Sequence, residues 1–316
     1  GMENTTMENT RTKTTRNSLI LLLTAAIWGM AFVSQSKGMD YMHPFTFNGV
    51  RSLIGAASIL VYILISRKIA GDKAAPLDWK LNVKAGLLCG IFLTIASTLQ
   101  QFGIKYTSVG KAGFITTLYI IFVPMFGIFL KKKVAPVVWA AAVMAAVGMY
   151  LLCMTESLRL GAGDIMVFLC AIAFAIQIMT VDHYAARIDG AVVSCIQFTV
   201  CGVVCCIGAL IWGQPTFGQL QEGLGALLYA GVLSCGVGYT LQIVGQKGLN
   251  PTVAALIMSL ESVIATISGW IAYKIGFLTT DQTLTARQIA GCVIVFAAVI
   301  LVQLPPEWFR FGKKNA

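Results

Sequence analysis

Ten stretches of about twenty mostly apolar residues follow one another along this chain, and each is long enough for a helix that crosses a membrane. The composition agrees, because 57% of the 316 residues are hydrophobic, only 11% are charged, and the mean hydropathy is +0.80. A soluble domain needs far more charged surface than this. The predicted spans are 18–36, 45–66, 81–104, 112–130, 134–154, 164–181, 190–212, 223–246, 252–273 and 285–304.

The distribution of Lys and Arg predicts the orientation of these spans. With a cytoplasmic N-terminus, sixteen of the 23 basic residues fall on the cytoplasmic side and five on the other side. Basic residues are enriched in cytoplasmic loops. We therefore predict that both termini are cytoplasmic in a multi-pass protein of the cell membrane. This bias accounts for the net charge of +10 without nucleic-acid binding.

An internal repeat appears when the chain is shifted against itself by 142 residues. Nine identities then align the third and fourth spans with the eighth and ninth: Thr98–Thr240, Leu99–Leu241, Gln100–Gln242, Gly103–Gly245, Lys105–Lys247, Ala112–Ala254, Ile115–Ile257, Leu118–Leu260 and Gly127–Gly269. Because the copies lie five spans apart, an odd number, the second copy crosses the membrane in the opposite direction. Inverted repeats of this kind are typical of transporters.

The repeat predicts an all-α polytopic membrane protein with ten transmembrane helices in two inverted five-helix repeats. The predicted organisation is an N-terminal tail (1–17), a first repeat (18–154), a second repeat (163–304) and a C-terminal tail (305–316). Both tails are predicted to be cytoplasmic.

Five motifs, in order and at matching spacing, carry a resemblance to a known family. They are AAIWGMAFV (25–33), HPFTFNGVRSLIGA (43–56), KYTSVGKAGFITTLYIIFVP (105–124), LNPTVAALIMSLESV (249–263) and TLTARQIAGCVIVFAAVILVQL (283–304). The chain resembles the drug/metabolite transporter superfamily in its ten-helix EamA-type branch. The resemblance implies a secondary transporter of small organic solutes, with two five-helix halves around a central cavity.

Two positions depart from the family pattern. Ser262 stands where a Pro commonly follows Glu261, which predicts a straighter ninth helix. The basic run Lys131–Lys133 replaces an acidic residue after the fourth helix, in a loop that we predict to be cytoplasmic.

Glu261 is the main candidate for a functional residue, because no other charged residue lies between Lys247 and Lys274. It lies about eleven residues into the ninth span and hence roughly 16 Å deep, near the midplane. A charge there costs about 2.5–3.5 kcal/mol unless it faces the bundle interior or a watery cavity. It either binds a substrate amine or a coupling proton, or it is a structural acid paired with Arg51, our second candidate for coupling or gating.

The remaining candidates for substrate binding follow from depth and from the repeat. Tyr119 takes the register position of Glu261 in the first repeat, and Gln100 and Gln242 form another repeat pair. Trp28 lies deep in the first span, away from the interface where tryptophans usually lie. We assign Phe174 as its register partner in the sixth span. Gln177, three residues further on, completes the predicted site.

The sequence gives no support for enzymatic catalysis or for metal binding. No catalytic motif is present, and the string Gly161–Asp164 matches an intramembrane protease only in its letters, because the predicted spans contain no second Asp. The nine cysteines lack metal-ligand spacing. We predict a protein that is not an enzyme and needs no cofactor, although a proton or ion can be coupled to transport.

The predicted function is therefore secondary active transport, as an exporter, of small organic metabolites such as amino acids or amines. The predicted partners are a small-molecule substrate and the lipid bilayer, for a monomer or homodimer that does not bind nucleic acid. A multidrug exporter or an uncoupled facilitator is the alternative, and a non-transporting sensor or assembly protein is a weaker one.

Overall fold

The computed structural model describes residues 2–153 and 161–304, which form a bundle of ten helical spans. They are α1 (Met2–Gly38), α2 (Pro44–Ala70), α3 (Trp79–Ile104), α4 (Val109–Thr116 and Tyr119–Phe129), α5 (Pro136–Cys153), α6 (Ala162–Tyr184), α7 (Gly190–Gly208, with a π-helical extension Ala209–Gly213), α8 (Leu224–Leu228, Tyr229–Gly238 and Tyr239–Gln246), α9 (Pro251–Met258 and Glu261–Lys274) and α10 (Ala286–Gln303). Eight spans are long and apolar enough to cross a membrane, and α5 and α10 contain shorter apolar helices. The prediction of an all-α, multi-span membrane protein is confirmed for these residues.

The N-terminal tail continues α1 as a helix. The hydroxyl groups of Thr10, Thr12 and Thr14 donate hydrogen bonds to the carbonyl oxygens four residues earlier. Side chains are exposed up to Arg16, and burial begins at Asn17, whose amide donates to the carbonyl oxygen of Lys247. The predicted C-terminal tail (305–316) lies outside the described residues.

Side-chain caps show why several helices begin where they do. Asp78, Ser108 and Asn250 each accept a hydrogen bond from a backbone N–H in the first turn of α3, α4 and α9. At α2, the Nδ1 atom of His43 accepts from the backbone N–H of Phe45. Partial burial, together with the positive charge of Lys105, lowers the pKa of His43 below its ordinary value. The imidazole therefore favours the neutral form, which can accept this hydrogen bond.

Helix packing follows a pseudo-twofold pattern in which each helix corresponds to the one five positions later. Helix α1 packs on α8 as α3 packs on α6, and α1 packs on α9 as α4 packs on α6. Helix α2 packs on α8 as α3 packs on α7. Three further contacts, α2–α7, α4–α9 and α5–α10, each join a helix to its own counterpart in the other half. The contacts thus relate the two halves throughout the described bundle, beyond the aligned segment of sequence.

Helices α4 and α9 are both interrupted, and at matching positions. The breaks lie at Thr117–Leu118 and Ser259–Leu260, and the second segments begin with Tyr119 and Glu261, which are 142 residues apart. Across the breaks the backbone N–H groups of Leu118 and Leu260 bond to carbonyl oxygens only three residues back, at 3.2 and 3.3 Å. The break tightens the backbone into a turn in both halves.

That the ninth helix is straighter than in relatives stays a prediction, but it is interrupted although Ser262 stands where a proline is common, and a hydroxyl group lies at the break. Ser259 Oγ donates to the carbonyl oxygen of Leu256 at 2.6 Å, three residues earlier. Thr117 Oγ1 donates in the same way to the carbonyl oxygen of Phe114 at 3.0 Å. Serine and threonine hydroxyls compete with the helical backbone for such carbonyls and bend helices.

Helices α3 and α8 correspond but differ in regularity. Helix α3 is α-helical throughout, whereas residues Tyr229–Gly238 of α8 are π-helical. An added Cβ at Gly238 would lie 2.8 Å from Trp28 Nε1, so only glycine lets α8 approach the indole this closely. The irregular part of α8 therefore helps to position Trp28.

Candidate functional site

A small cavity lies at the centre of the bundle, between the two helix breaks. Its volume is about 20 Å³, which is room for about one water molecule. Every residue that lines it is buried. The lining residues are Trp28, Gln100, Thr116, Tyr119, Phe174, Gln177, Ile178, Tyr239, Gln242 and Glu261.

All seven residues predicted to bind substrate lie on this cavity. Repeat pairing had pointed to Tyr119, Gln100 and Gln242, and the structure brings them together from α4, α3 and α8. Gln101 does not line the cavity and instead contacts Gln35, because adjacent helical residues point in different directions.

Glu261 has a specific partner in the other half of the molecule. The Tyr119 hydroxyl donates a hydrogen bond to Glu261 Oε1 at 3.0 Å, and the two side chains are 1% and 3% exposed. Glu261 is also the first residue of its helical segment, where the backbone N–H groups and the helix dipole favour a negative charge. It is the one ionisable acid among the described lining residues.

The ion pair between Arg51 and Glu261 that we predicted as the structural alternative is not formed. Arg51 is 4% exposed; its Nε donates to Asn48 Oδ1 at 3.0 Å, and its guanidinium lies over the Phe47 ring. Its terminal nitrogens lie 3.1 and 3.2 Å from the Gln35 amide in the orientation that turns the oxygen toward them. Neutral acceptors and an aromatic face thus surround the guanidinium.

Aromatic rings form one wall of the cavity. The rings of Trp28 and Tyr239 are 4.6 Å apart, and the Phe174 ring stacks on Tyr239 at 6.4 Å. Phe198 meets Tyr239 edge-on behind this wall at 5.0 Å. Aromatic faces beside a carboxylate suit an organic cation, since ring quadrupoles attract positive charge.

Glutamine amides lie on the two sides of the cavity in matching pairs. The side-chain amides of Gln35 and Gln100 lie 2.9 Å apart, and Gln242 donates to Gln177 Oε1 at 2.9 Å. Each pair is separated by 65 residues in the sequence. Gln35 and Gln100 lie near the ends of α1 and α3, on one side of the bundle. Gln177 and Gln242 lie toward the opposite side, where α1 begins.

Gln35, Thr116, Ile178 and Tyr239 belong to the site or its closure but are missing from the sequence prediction. The repeat could have revealed Gln35, because it stands 142 residues before Gln177 just as Gln100 stands before Gln242. The register pairing of Trp28 with Phe174 stays a prediction, and both residues line the cavity. For Tyr239 the sequence offers no comparable signal, because its counterpart is Ser97.

Among the described residues, no group of three or more His, Cys, Asp or Glu side chains is placed to hold a metal ion. Uncharged amides, aromatic rings and one carboxyl group are instead suited to binding an organic solute reversibly.

The fold and its cavity define a polytopic membrane protein built from two matched halves around a central polar site. The chain belongs to the EamA-like transporter family, whose family model matches residues 16–154 and again residues 161–304. It is thus a transporter of the drug/metabolite transporter type.

Similar proteins are known from archaea and bacteria. An uncharacterized transporter of Archaeoglobus fulgidus is 27% identical over 290 residues, which cover 90% of this chain and 84% of the relative. The uncharacterized transporter YwfM of Bacillus subtilis is 24% identical over 294 residues, covering 92% of this chain and 94% of that protein. A solved crystal structure shares the fold, with a TM-score of 0.72 at 16% identity, over 94% of this chain and 99% of the other.

Proposed function

We propose that the protein is a secondary active transporter that exports small organic metabolites carrying an amino group, such as amino acids or amines, across the cell membrane. The observation that carries this proposal is Glu261, a buried carboxyl group facing aromatic rings and neutral amides in a central cavity. An acid at membrane depth is expensive unless it has a function or a partner. A solute ammonium group would satisfy the Glu261 oxygen that Tyr119 does not bind.

Alternating access explains why the cavity is so small in this conformation. A volume of about 20 Å³ cannot hold a metabolite, so a carrier must widen the cavity toward one side and then toward the other. The pair Gln35–Gln100 would open for one state, and the pair Gln177–Gln242 for the other. The breaks in α4 and α9 supply the points at which these helices can bend. With the cytoplasmic N-terminus that the charge bias favours, the second pair would lie on the cytoplasmic side.

Glu261 can also couple transport to a proton gradient. A carboxylate binds either a proton or a substrate ammonium group as its cation, so the two compete for the same oxygen atoms. Exchange of one for the other, on opposite sides of the membrane, would link solute efflux to proton entry. The charge at the cavity would then be neutral in both loaded forms, which lowers the cost of moving it through the bundle.

Proteoliposomes loaded with radiolabelled amino acids and amines provide the test. We expect Glu261→Gln to lower the rate of flux about a hundredfold, because a charge-assisted hydrogen bond worth roughly 3 kcal/mol is lost, and to abolish its pH dependence. The matched control is Tyr119→Phe, which removes the hydrogen bond to Glu261 but leaves its charge. We expect it to lower flux about tenfold and to keep the pH dependence.

Three other outcomes of these flux measurements would each contradict one part of the proposed function. Flux that keeps its pH dependence in Glu261→Gln would exclude a coupling role and indicate an uncoupled facilitator. Flux of bulky aromatic cations in preference to amino acids and small amines would indicate a multidrug exporter, for which the aromatic wall would be the main binding surface. Absence of flux for the whole panel would count against transport of amino compounds.

A further inference from the structure

A second polar group lies beside the cavity, and its hydrogen bonds are incomplete. Gln177, Gln197, Gln242 and Gln246, here called the second-repeat amide cluster, come from α6, α7 and α8 and are at most 1% exposed. Gln177 donates to Gln197 Oε1 at 3.5 Å, and Gln242 donates to Gln246 Oε1 at 2.8 Å. The amide nitrogen of Gln197 has no hydrogen-bond partner.

Ser194 adds a second unpaired polar atom on the same helix. It precedes Gln197 by three residues on α7, so the two side chains share a face. Both residues are 0% exposed, and Ser194 Oγ has no hydrogen-bond partner. An unpaired buried polar group costs about 1–3 kcal/mol, so two of them side by side call for an explanation.

The first-repeat side of the cavity differs, because it includes a charged group. The first-repeat amide cluster consists of Gln35, Gln100 and Gln101. Gln100 donates to Thr116 Oγ1, Gln101 donates to the backbone carbonyl oxygen of Gln35, and the Gln35 amide oxygen accepts from Arg51 at 3.1 and 3.2 Å. Counted from the helix starts at Pro44 and Gly190, the residue of α2 equivalent to Gln197 is Arg51. The first repeat thus has a cation beside Gln35, whereas the second repeat has a neutral amide, Gln197, beside Gln177.

The chemistry of the second-repeat cluster selects a class of ligand group. Every hydrogen-bond partner of these four amides is neutral: other glutamines and the carbonyl oxygen of Ile178. Such surroundings offer no counter-charge to a carboxylate, but they suit a neutral oxygen that accepts a hydrogen bond. Gln177 and Gln242 line the same small cavity as Glu261, so a short molecule can reach both sites.

We infer that the second-repeat amide cluster binds a neutral hydrogen-bonding group of the solute, a carboxamide, carbonyl or hydroxyl oxygen, at the end opposite its amino group. This inference rests on the proposed function and narrows its substrate class to amines that carry such an oxygen. Gln197 supplies the amide N–H for that oxygen, and Ser194 supplies a hydroxyl. A site built to hydrogen-bond a solute group rejects analogues that lack the group, because its own polar atoms are left unpaired.

Two probes of equal size test the inference with purified protein. γ-Aminobutanamide carries a carboxamide, and isohexylamine carries an isopropyl group in its place, so the two differ only in hydrogen bonding at the distal end. Thermal-shift titrations give an apparent affinity for each. We expect the wild-type protein to prefer the carboxamide at least about tenfold.

The variant Gln197→Met keeps the length of the side chain and removes its amide. We expect this variant to lose the preference by weakening only the carboxamide, with the affinity for isohexylamine unchanged within about twofold. The matched control is Gln101→Met in the first-repeat amide cluster, which should keep the preference. Ser194→Ala should reduce the preference in the same direction, and it provides the test if Gln197→Met does not fold.

Two results would overturn the inference alone: a wild-type protein without preference, or equal weakening of both probes by Gln197→Met. The second result would assign Gln197 to helix packing. The proposed function fails in a different way, if Glu261→Gln leaves the affinities for both probes unchanged. Binding of neither probe by the wild-type protein would overturn both.

Discussion

Helices α4 and α9 are counterparts with the same break but different chemistry at it. Each is interrupted by a hydroxyl-bearing residue that bonds three residues back, and each resumes with a residue that faces the cavity. In α4 that residue is the phenol Tyr119, and in α9 it is the acid Glu261. The two repeats thus share the backbone break, and only the second carries a carboxyl group at it.

The two helices also differ in how they are held. Helix α4 and the loop after it are tied to α6 at both ends, by Lys111–Asp164 and by Lys132–Asp182. Among the described residues, no ion pair joins α9 to another helix. Close contact with α1 holds α9 instead. The difference indicates that α4 is anchored to α6 by ion pairs, whereas α9, which carries the charge, is held by packing against α1 and by the hydrogen bond from Tyr119 to Glu261.

The largest expected effect comes from adding a methyl group between α1 and α9. A Cβ at Gly29 would lie 2.4 Å from Ile264 Cβ and 2.8 Å from the backbone carbonyl oxygen of Glu261. Gly29→Ala must therefore shift the α9 backbone, and we expect a loss of about 3 kcal/mol in the free energy of unfolding together with a loss of transport. Reversible unfolding in detergent measures the first effect.

Gly110 in α4 is the matched control for this substitution. An added Cβ there would meet only Thr266 Oγ1, at an ordinary contact distance of 3.5 Å. Gly110→Ala should leave the stability unchanged or raise it by up to about 1 kcal/mol, as alanine does in helices. If the two alanine substitutions lowered the free energy of unfolding equally, α9 would depend on close packing no more than α4 does.

The next effect concerns the two ion pairs of α4. Asp164 is 4% exposed, and it accepts hydrogen bonds from Lys111 at 2.7 Å and from Thr107 at 2.9 Å. We expect Asp164→Asn to cost about 2 kcal/mol, the usual range for a buried charge-assisted hydrogen bond. The same unfolding measurement applied to Lys111→Met, and to both changes together, isolates the pair energy.

The Lys132–Asp182 pair supplies the control at the other end of α4. Its lysine side chain is 39% exposed, so solvent screens the interaction. Asp182→Asn should cost less than about 1 kcal/mol. A larger cost for Asp182→Asn than for Asp164→Asn would show that α4 is anchored mainly at the side of the bundle where α1 begins.

The smallest effects are expected at the hydroxyl groups of the breaks themselves. Thr117→Val removes a hydroxyl shared between the carbonyl oxygens of Gly113 and Phe114, and Ser259→Ala removes one that donates to the carbonyl oxygen of Leu256. Each should change the unfolding free energy by about 1 kcal/mol or less. Because Ser259 shapes the break before Glu261, Ser259→Ala should reduce transport more than Thr117→Val does. Equal transport in the two variants would mean that bending of α9 contributes no more than bending of α4.

The sequence predicted much of the site because the repeat marks equivalent positions. Tyr119, Gln100, Gln242 and Glu261 were found by combining depth in a span with the 142-residue shift, and all four line the cavity. Gln35 was missed although the same shift identifies it. The predicted pairing of Arg51 with Glu261 was wrong, because two residues at similar membrane depth meet only if their side chains also point toward each other.

The sequence by itself determined that the chain spans a membrane many times, that its halves repeat, and that one acid lies at membrane depth. Apolar length, charge bias and a fixed shift are properties of the linear pattern, so no folding is needed to read them. Only the tertiary structure decided that Tyr119 bonds Glu261, that α9 breaks without a proline, and that the amide nitrogen of Gln197 has no hydrogen-bond partner. These outcomes depend on helix rotation and on distances of a few tenths of an ångström between helices, which residue spacing does not specify.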